Sequence, residues 1–273
     1  MVRLDTATLV SRDMAGPQVW TGRLWTWRWH SPEVIDHITI RVSDRAASEA
    51  FYDTVLATVG IERSGRSDEY TVWRGQFSLA AADAGHAVTR GLHIGFGAAS
   101  RELVDTFWRT GIDAGYRDDG APGPRPQYGP DYYGGFLLDP DGNSAEAVHH
   151  DTAAGRVIDH LWIRVADLQA AKEFYARVAP FGGFRLNRER PDRVQFTSPD
   201  DSFSVVTDEP TQNLHIAFET HDNDTVDAFH RELTAAGYAD NGAPGERAYH
   251  PGYYGAFVLD PDGNNVEVVN HNR

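Results

Sequence analysis

The stretch VIDHITIRVSD at residues 34–44 returns as VIDHLWIRVAD at residues 157–167. In the first copy Ile38, Ile40 and Val42 alternate with His37, Thr39 and Arg41, the period of two of a strand with one face on a core. Asp44 then stands where it can cap a helix whose Phe51, Val55 and Val59 share a stripe. Further matches follow in the same order. EAFYDTVLATVG (49–60) answers to KEFYARVAPFGG (172–183), and GLHIGF (91–96) to NLHIAF (213–218). DGAPG (119–123) answers to NGAPG (241–245), and YYGGFLLDPDGN (132–143) to YYGAFVLDPDGN (253–264). Ordered matches over both halves make the chain a tandem duplication.

Each half also restarts midway with a second strand and helix, so the order βαβββ is expected four times. The modules are expected over about 34–88, 89–150, 157–210 and 211–273. DTAAGR (151–156) is a polar, small-residue joint between two domains, 34–150 and 157–273. A loop rich in Gly, Pro and Tyr is expected before the last two strands of each half. Residues 1–33 lie outside the repeat, and Trp25, Trp27 and Trp29 there predict an added strand or a packing arm. The fold class is α+β, with mixed sheets that pair into curved cups.

Of the 273 residues, 41% are hydrophobic and 24% charged, the balance of a soluble globular protein. No apolar run nears the roughly 20 residues of a membrane span, and no signal-peptide pattern opens the sequence. The absence of cysteine removes disulfides, thiolate ligands and thiol nucleophiles, and fits a cytoplasmic setting. A formal charge of −15 without basic clusters argues against nucleic acid as partner. A small molecule is the expected partner, and a homodimer is compatible with the Trp-rich segment.

Strand parity sets His37, His93 and Glu146 each opposite its apolar neighbours, and His160, His215 and Glu267 repeat the pattern. Alone, a strand histidine is an ordinary polar residue, and DPDGN is turn chemistry. Two imidazoles and a carboxylate at equivalent places in both halves are a set that binds a divalent first-row metal and leaves positions open. The expected cofactor is one such ion per domain: iron, manganese, zinc, nickel or cobalt.

With these residues the chain resembles the vicinal oxygen chelate superfamily of glyoxalases, extradiol dioxygenases, fosfomycin-resistance transferases and bleomycin-resistance proteins. The resemblance covers about residues 34–271, through DHITIRV and DHLWIRV, LHIGF and LHIAF, DPDGNSAE and DPDGNNVE. It implies cups of paired βαβββ modules whose ligands come from the first, fifth and eighth strands. Carried over in chain order, these are His37, His93 and Glu146 in one domain and His160, His215 and Glu267 in the other. The fourth-strand acid typical of glyoxalase I is missing around Ser78–Ala80 and Ser204–Val206. Of the acid–base pair of extradiol dioxygenases, His250 matches the histidine, whereas the tyrosine position holds Phe257. The first half has Gly129 and Phe136 in those places, so Tyr133 and Tyr254 are the candidate substitutes. The implied function is metal-dependent dioxygenase, lyase, isomerase or transferase chemistry on an oxygen-chelating substrate. The alternative is a protein that sequesters a small molecule or antibiotic.

Arg41 and Arg164 share parity with His37 and His160, four residues on, and are candidates to hold an anionic substrate group. Thr39 and Trp162 stand between them on that face, and their difference in size predicts unequal pockets. Tyr128 and Tyr249 are candidate pocket walls. His150 and His271 are expected at the surface.

Overall fold

The computed structural model describes residues 35–199 and 201–273; the Trp-rich segment 1–33 lies outside them. The first module comprises β1 (Ile35–Val42), α1 (Arg45–Leu56), β2 (Arg63–Arg66), β3 (Tyr70–Trp73) and β4 (Phe77–Ala81). The second holds β5 (His93–Gly97), α2 (Arg101–Asp113), β6 (Arg117–Pro124), β7 (Tyr133–Leu138) and β8 (Ser144–His149). The third holds β9 (Ile158–Val165), α3 (Leu168–Gly182), β10 (Arg185–Arg190), β11 (Arg193–Thr197) and β12 (Ser202–Thr207). The fourth holds β13 (His215–Glu219), α4 (Asn223–Ala235), β14 (Asp240–Glu246), β15 (Tyr254–Leu259) and β16 (Asn265–Asn270). Thus the βαβββ order is met four times. The DGAPG segment expected as loop lies in β6, and NGAPG in β14. Both are edge strands with register shifts, where Pro122 and Pro244 break no inner ladder.

Local chemistry places each helix. Asp44 caps α1 by accepting from the Ala47 amide at 3.0 Å, and Ser100, Asp167 and Asp222 cap the other three in the same way. The buried stripe of α1 includes Phe51, Tyr52 and Val55. Each such side chain stabilises the fold by about 1.5–3 kcal/mol relative to exposure.

The modules form two eight-stranded mixed sheets in crossed order. One runs β14-β15-β16-β13-β1-β4-β3-β2, joining the first module to the fourth. The other runs β10-β11-β12-β9-β5-β8-β7-β6, joining the second to the third. Antiparallel seams β1–β13 and β5–β9 hold the halves together. Helices cover one face of each sheet, and modules adjacent in sequence meet through them, α1 on α2 and α3 on α4. The DPDGN turn anchors this contact. Buried Asp139 accepts from the Tyr52 hydroxyl of α1 at 3.0 Å and from the Asp141 and Asn143 amides, and Asp260 does the same with Tyr175. The faces away from the helices are the two cups, called here A (first and fourth modules) and B (second and third).

Candidate metal centres

The crossed sheets decide which ligands meet. In cup A, Ala217 of β13 is paired on one side with His37 and on the other with Glu267, and His215 lies two residues back on the same strand. In cup B, Gly95 of β5 stands between His160 and Glu146, with His93 two residues back. The six residues found by parity therefore converge as His37, His215, Glu267 and as His93, Glu146, His160. The chain-order grouping is corrected: His37 and His160 exchange places, because β1 pairs with β13 and β9 with β5.

The donor atoms fit a metal. In cup A, Nε2 of His37 and His215 lie 3.0 Å apart, and Glu267 Oε2 is 3.7 and 3.2 Å from them. In cup B, Nε2 of His93 and His160 are 3.2 Å apart, with Glu146 Oε2 at 3.0 and 3.2 Å. Donors about 2.1 Å from one cation stand about 3.0 Å apart at right angles and about 3.4 Å apart at the tetrahedral angle. Both triangles have that size and occupy one side of the centre.

The surroundings fix the ligands. Both carboxylates are buried and accept from a tyrosine hydroxyl, Tyr253 to Glu267 Oε1 at 2.7 Å and Tyr132 to Glu146 Oε1 at 2.8 Å. Burial and the neighbouring carboxylate push both hydroxyls far above the usual tyrosine range, so they stay protonated donors. A Cβ on Gly255 or Gly134 would fall 2.4 or 2.2 Å from the same Oε1 atoms, so these strands need glycine to admit the carboxylates. Phe257 and Phe136 lie beside His215 and His93, with Arg247 and Arg125 over their rings.

Behind the histidines stand acids. Asp36 Oδ2 accepts from His37 Nδ1 at 2.6 Å, and Asp159 Oδ2 from His160 Nδ1 at 3.0 Å. This turns each Nε2 toward the centre and raises ligand basicity. Burial opposes charge on His160, but Asp159 and Glu146 outweigh it and push its pKa up to about 10. Burial also opposes charge on His37, which Asp36 and Glu267 outweigh to raise it, whereas burial and the His37 charge lower His215. The proposed surface positions of His271 and His150 are corrected, since both hold these acids. His271 Nε2 lies 2.8 Å from Asp36 Oδ1, and His150 Nε2 3.0 Å from Asp159 Oδ1.

Tyr133 and Tyr254 are corrected as catalytic candidates. Their hydroxyls donate to Asp105 of α2 and Asp227 of α4, on the helix side of the sheets. Sequence reasoning missed their neighbours Tyr132 and Tyr253, which precede β7 and β15, and also Asp36 and Asp159. A register shift at the start of each first strand, between Ile35 and His37 and near Ile158, carries the acid beside its histidine against simple alternation. The repeated Asp-His dipeptide was the available signal.

The cups differ in lining. Cup A holds a cavity of about 860 Å³, lined by the triad and by Thr39, Arg41, Tyr70, Tyr249, His250, Tyr253 and Phe257. His250 Nε2 meets His271 Nδ1 at 2.8 Å, which completes a path His250–His271–Asp36–His37. In cup B the Trp162 ring sits 5.8 Å from His93, with Arg193 over it and Tyr128 edge-on. Arg41 donates to the Ala81 carbonyl at 3.1 Å at the wall of cup A, and Arg164 lies 3.8 Å from Asp208 in cup B.

Residues 157–268 match the family model of the Glyoxalase/Bleomycin resistance protein/Dioxygenase superfamily. The fold is similar to glyoxalase I from Zea mays, with 20% identity and a TM-score of 0.61 over 87% of this chain and 92% of that one. A mutant of the maize enzyme aligns with a TM-score of 0.64 at the same identity. A putative dioxygenase from Bacillus subtilis gives 0.59 at 13% identity over 88% and 85%. No curated protein sequence matches the chain. The family match thus lies in the second half of the chain, residues 157–268, and the likeness to these solved structures over 87–88% of the chain is one of fold. Among the described residues, no helix is long and apolar enough to cross a membrane.

Proposed function

We infer that the chain is a divalent-metal-dependent enzyme acting on a small substrate that presents neighbouring oxygens, with its working centre in cup A. The carrying observation is the cavity of about 860 Å³ that opens onto His37, His215 and Glu267. Held by these residues, the ion supplies Lewis-acid stabilisation of negative charge developing on a substrate oxygen. The chain's own residues do the rest. Tyr253 fixes the carboxylate of Glu267, and Asp36 fixes the ring of His37. His250 Nδ1 donates to the Pro251 carbonyl at 2.8 Å and its Nε2 faces His271 Nδ1 at 2.8 Å, which ties this cavity-lining ring to the Asp36–His37 pair. Burial lowers the His250 pKa, so its imidazole is neutral near pH 7. Thr39 at the strand position of Trp162 leaves the space above the triad open.

The test measures metal content and turnover on a catechol and on an α-oxoaldehyde–thiol adduct, representing the dioxygenase and glyoxalase branches. Glu267→Gln and Thr39→Trp should abolish turnover, the first with loss of metal and the second without it. Glu146→Gln should leave turnover in place. Ligand binding that survives metal removal unchanged, with no turnover, would instead establish a sequestering protein.

A further inference from the structure

The third module gives cup B a wall unlike any in cup A. Cross-strand partners share a face, so the register identifies what looks into each cup. Moving outward from β9, one row runs Trp162, Ser204, Gln195, Arg188 and the next runs Arg164, Val206, Arg193, Arg190. Arg185 ends the row that begins at His160, through Ser202 and Thr197. Five arginines thus share the cup face. In cup A the matching rows are Thr39, Ser78, Val72, Gly65 and Arg41, Ala80, Tyr70. Only Arg41 is cationic there. The arginines of β2 are on the other face, where Arg63 pairs with Asp53 and Arg66 with Glu49 of α1.

The β10 arginines are not balanced in this way. All of β10 is exposed, and among the described residues Arg185, Arg188 and Arg190 make no side-chain hydrogen bond or ion pair. Arg193 lies over Trp162 at 5.1 Å, and only Arg164 has an acid near, Asp208 at 3.8 Å. Arg190 and Arg193 are directly opposed, an arrangement that destabilises a sheet when both charges have one sign. Charges on an edge strand guard against strand addition, but that role needs no single sign and no single face. Here the helix face of β10 carries Glu189, paired with Lys172 of α3 at 2.8 Å, and the charged residues of the cup face are arginines alone. The chain as a whole bears −15 and repels anions, so this wall is a local reversal of the field.

We propose that cup B binds a small polyanion through a diphosphate group, of the nucleoside diphosphate class, on Arg188, Arg190 and Arg193. Guanidinium forks match phosphate oxygens two at a time, and two clustered phosphates relieve the opposed pair. Tyr128, exposed at the mouth beside Trp162, is the surface for an attached ring. The site is separate from the cavity of cup A and does not depend on a metal.

The experiment titrates the full chain calorimetrically with inorganic pyrophosphate and with a nucleoside diphosphate, in excess EDTA so that metal complexes do not contribute. Saturable binding is expected, weakened at least tenfold in Arg190→Gln and in Arg193→Gln and reduced by added salt. Arg41→Gln and Arg63→Gln should bind as the unaltered chain does. Tighter binding of the nucleotide, lost in Tyr128→Ala, would assign the ring contact; equal binding of both ligands would restrict recognition to the diphosphate. The melting temperature of Arg190→Gln should equal or exceed that of the parent, because a repulsion is removed. Absence of saturation at millimolar ligand, or affinity unchanged by both arginine variants, overturns the proposal. So does sedimentation showing that these arginines instead join two copies of the chain.

Discussion

Replacing Asp36 by Asn tests the organisation of cup A without touching a ligand. The carboxylate accepts at both oxygens, from His37 at 2.6 Å and from His271 at 2.8 Å. An amide of the same size has one oxygen and one NH2. If the oxygen faces His37, the ring keeps its orientation but loses the charge that strengthens Nε2. If the NH2 faces it, Nδ1 must be the acceptor, the proton moves to Nε2, and His37 ceases to be a donor to metal. The first arrangement is the less costly and sets the magnitude. Loss of such an outer partner weakens metal binding about 10–100-fold, or about 1.4–2.7 kcal/mol. The measurement is competition with a chromophoric chelator in a Glu146→Gln background, which leaves cup A as the binding site. Asp159→Asn in a Glu267→Gln background should show the same loss in cup B. An affinity within twofold of the parent for Asp36→Asn would refute the reasoning that the acid tunes the ligand.

Gly255→Ala should displace the Glu267 carboxylate, which a Cβ would approach to 2.4 Å, and lower metal content in cup A while cup B keeps its own; unchanged stoichiometry and affinity would refute this. Tyr52→Phe leaves Asp139 without its hydroxyl donor and should cost about 1–3 kcal/mol in denaturant unfolding; an unchanged midpoint would show that the turn does not anchor α1. In the metal-free chain, burial disfavours a charged His160 but Asp159 and Glu146 outweigh it, which holds the pKa at about 10. The folded state therefore binds this proton more tightly, and the stabilisation is complete below the ordinary value of 6.5 and lost as pH rises from there through about 10. Unfolding in EDTA should be flatter over that window for His160→Gln, and a steeper profile would reverse the assignment.

The sequence made one face of each strand legible but not its neighbour. Parity suffices to put His37, His93, Glu146 and their repeats on the side away from the core. Which histidines meet depends on the seam β1–β13, and β5 and β13 carry nearly the same residues, LHIGF and LHIAF. A duplicated chain offers both pairings to local reasoning, and only the assembled sheets choose. Alternation failed where the backbone departs from it. The register shift at Asp36 and Asp159 returns a residue of the wrong parity to the site. The tyrosine that matters lies just before its strand, so Tyr132 and Tyr253 were passed over for Tyr133 and Tyr254.

Crossed pairing also explains how two copies of one motif set acquire different chemistry. Each cup takes its inner ligands from strands of both halves, so losing either half would dismantle both centres. The outer walls carry no such constraint. Cup A's wall belongs to β2–β4 and cup B's to β10–β12, and neither wall contributes to the other cup. Those strands hold Tyr70 in cup A and Arg193 in cup B at matching register positions, and the inner strands β1 and β9 add Thr39 against Trp162, while both triads keep their geometry. The metal-binding floor is thus the shared inheritance of the duplication. The six wall strands, with the Thr39/Trp162 position on β1 and β9, distinguish the linings, which is why the cups are better read as two sites of different specificity than as one site repeated.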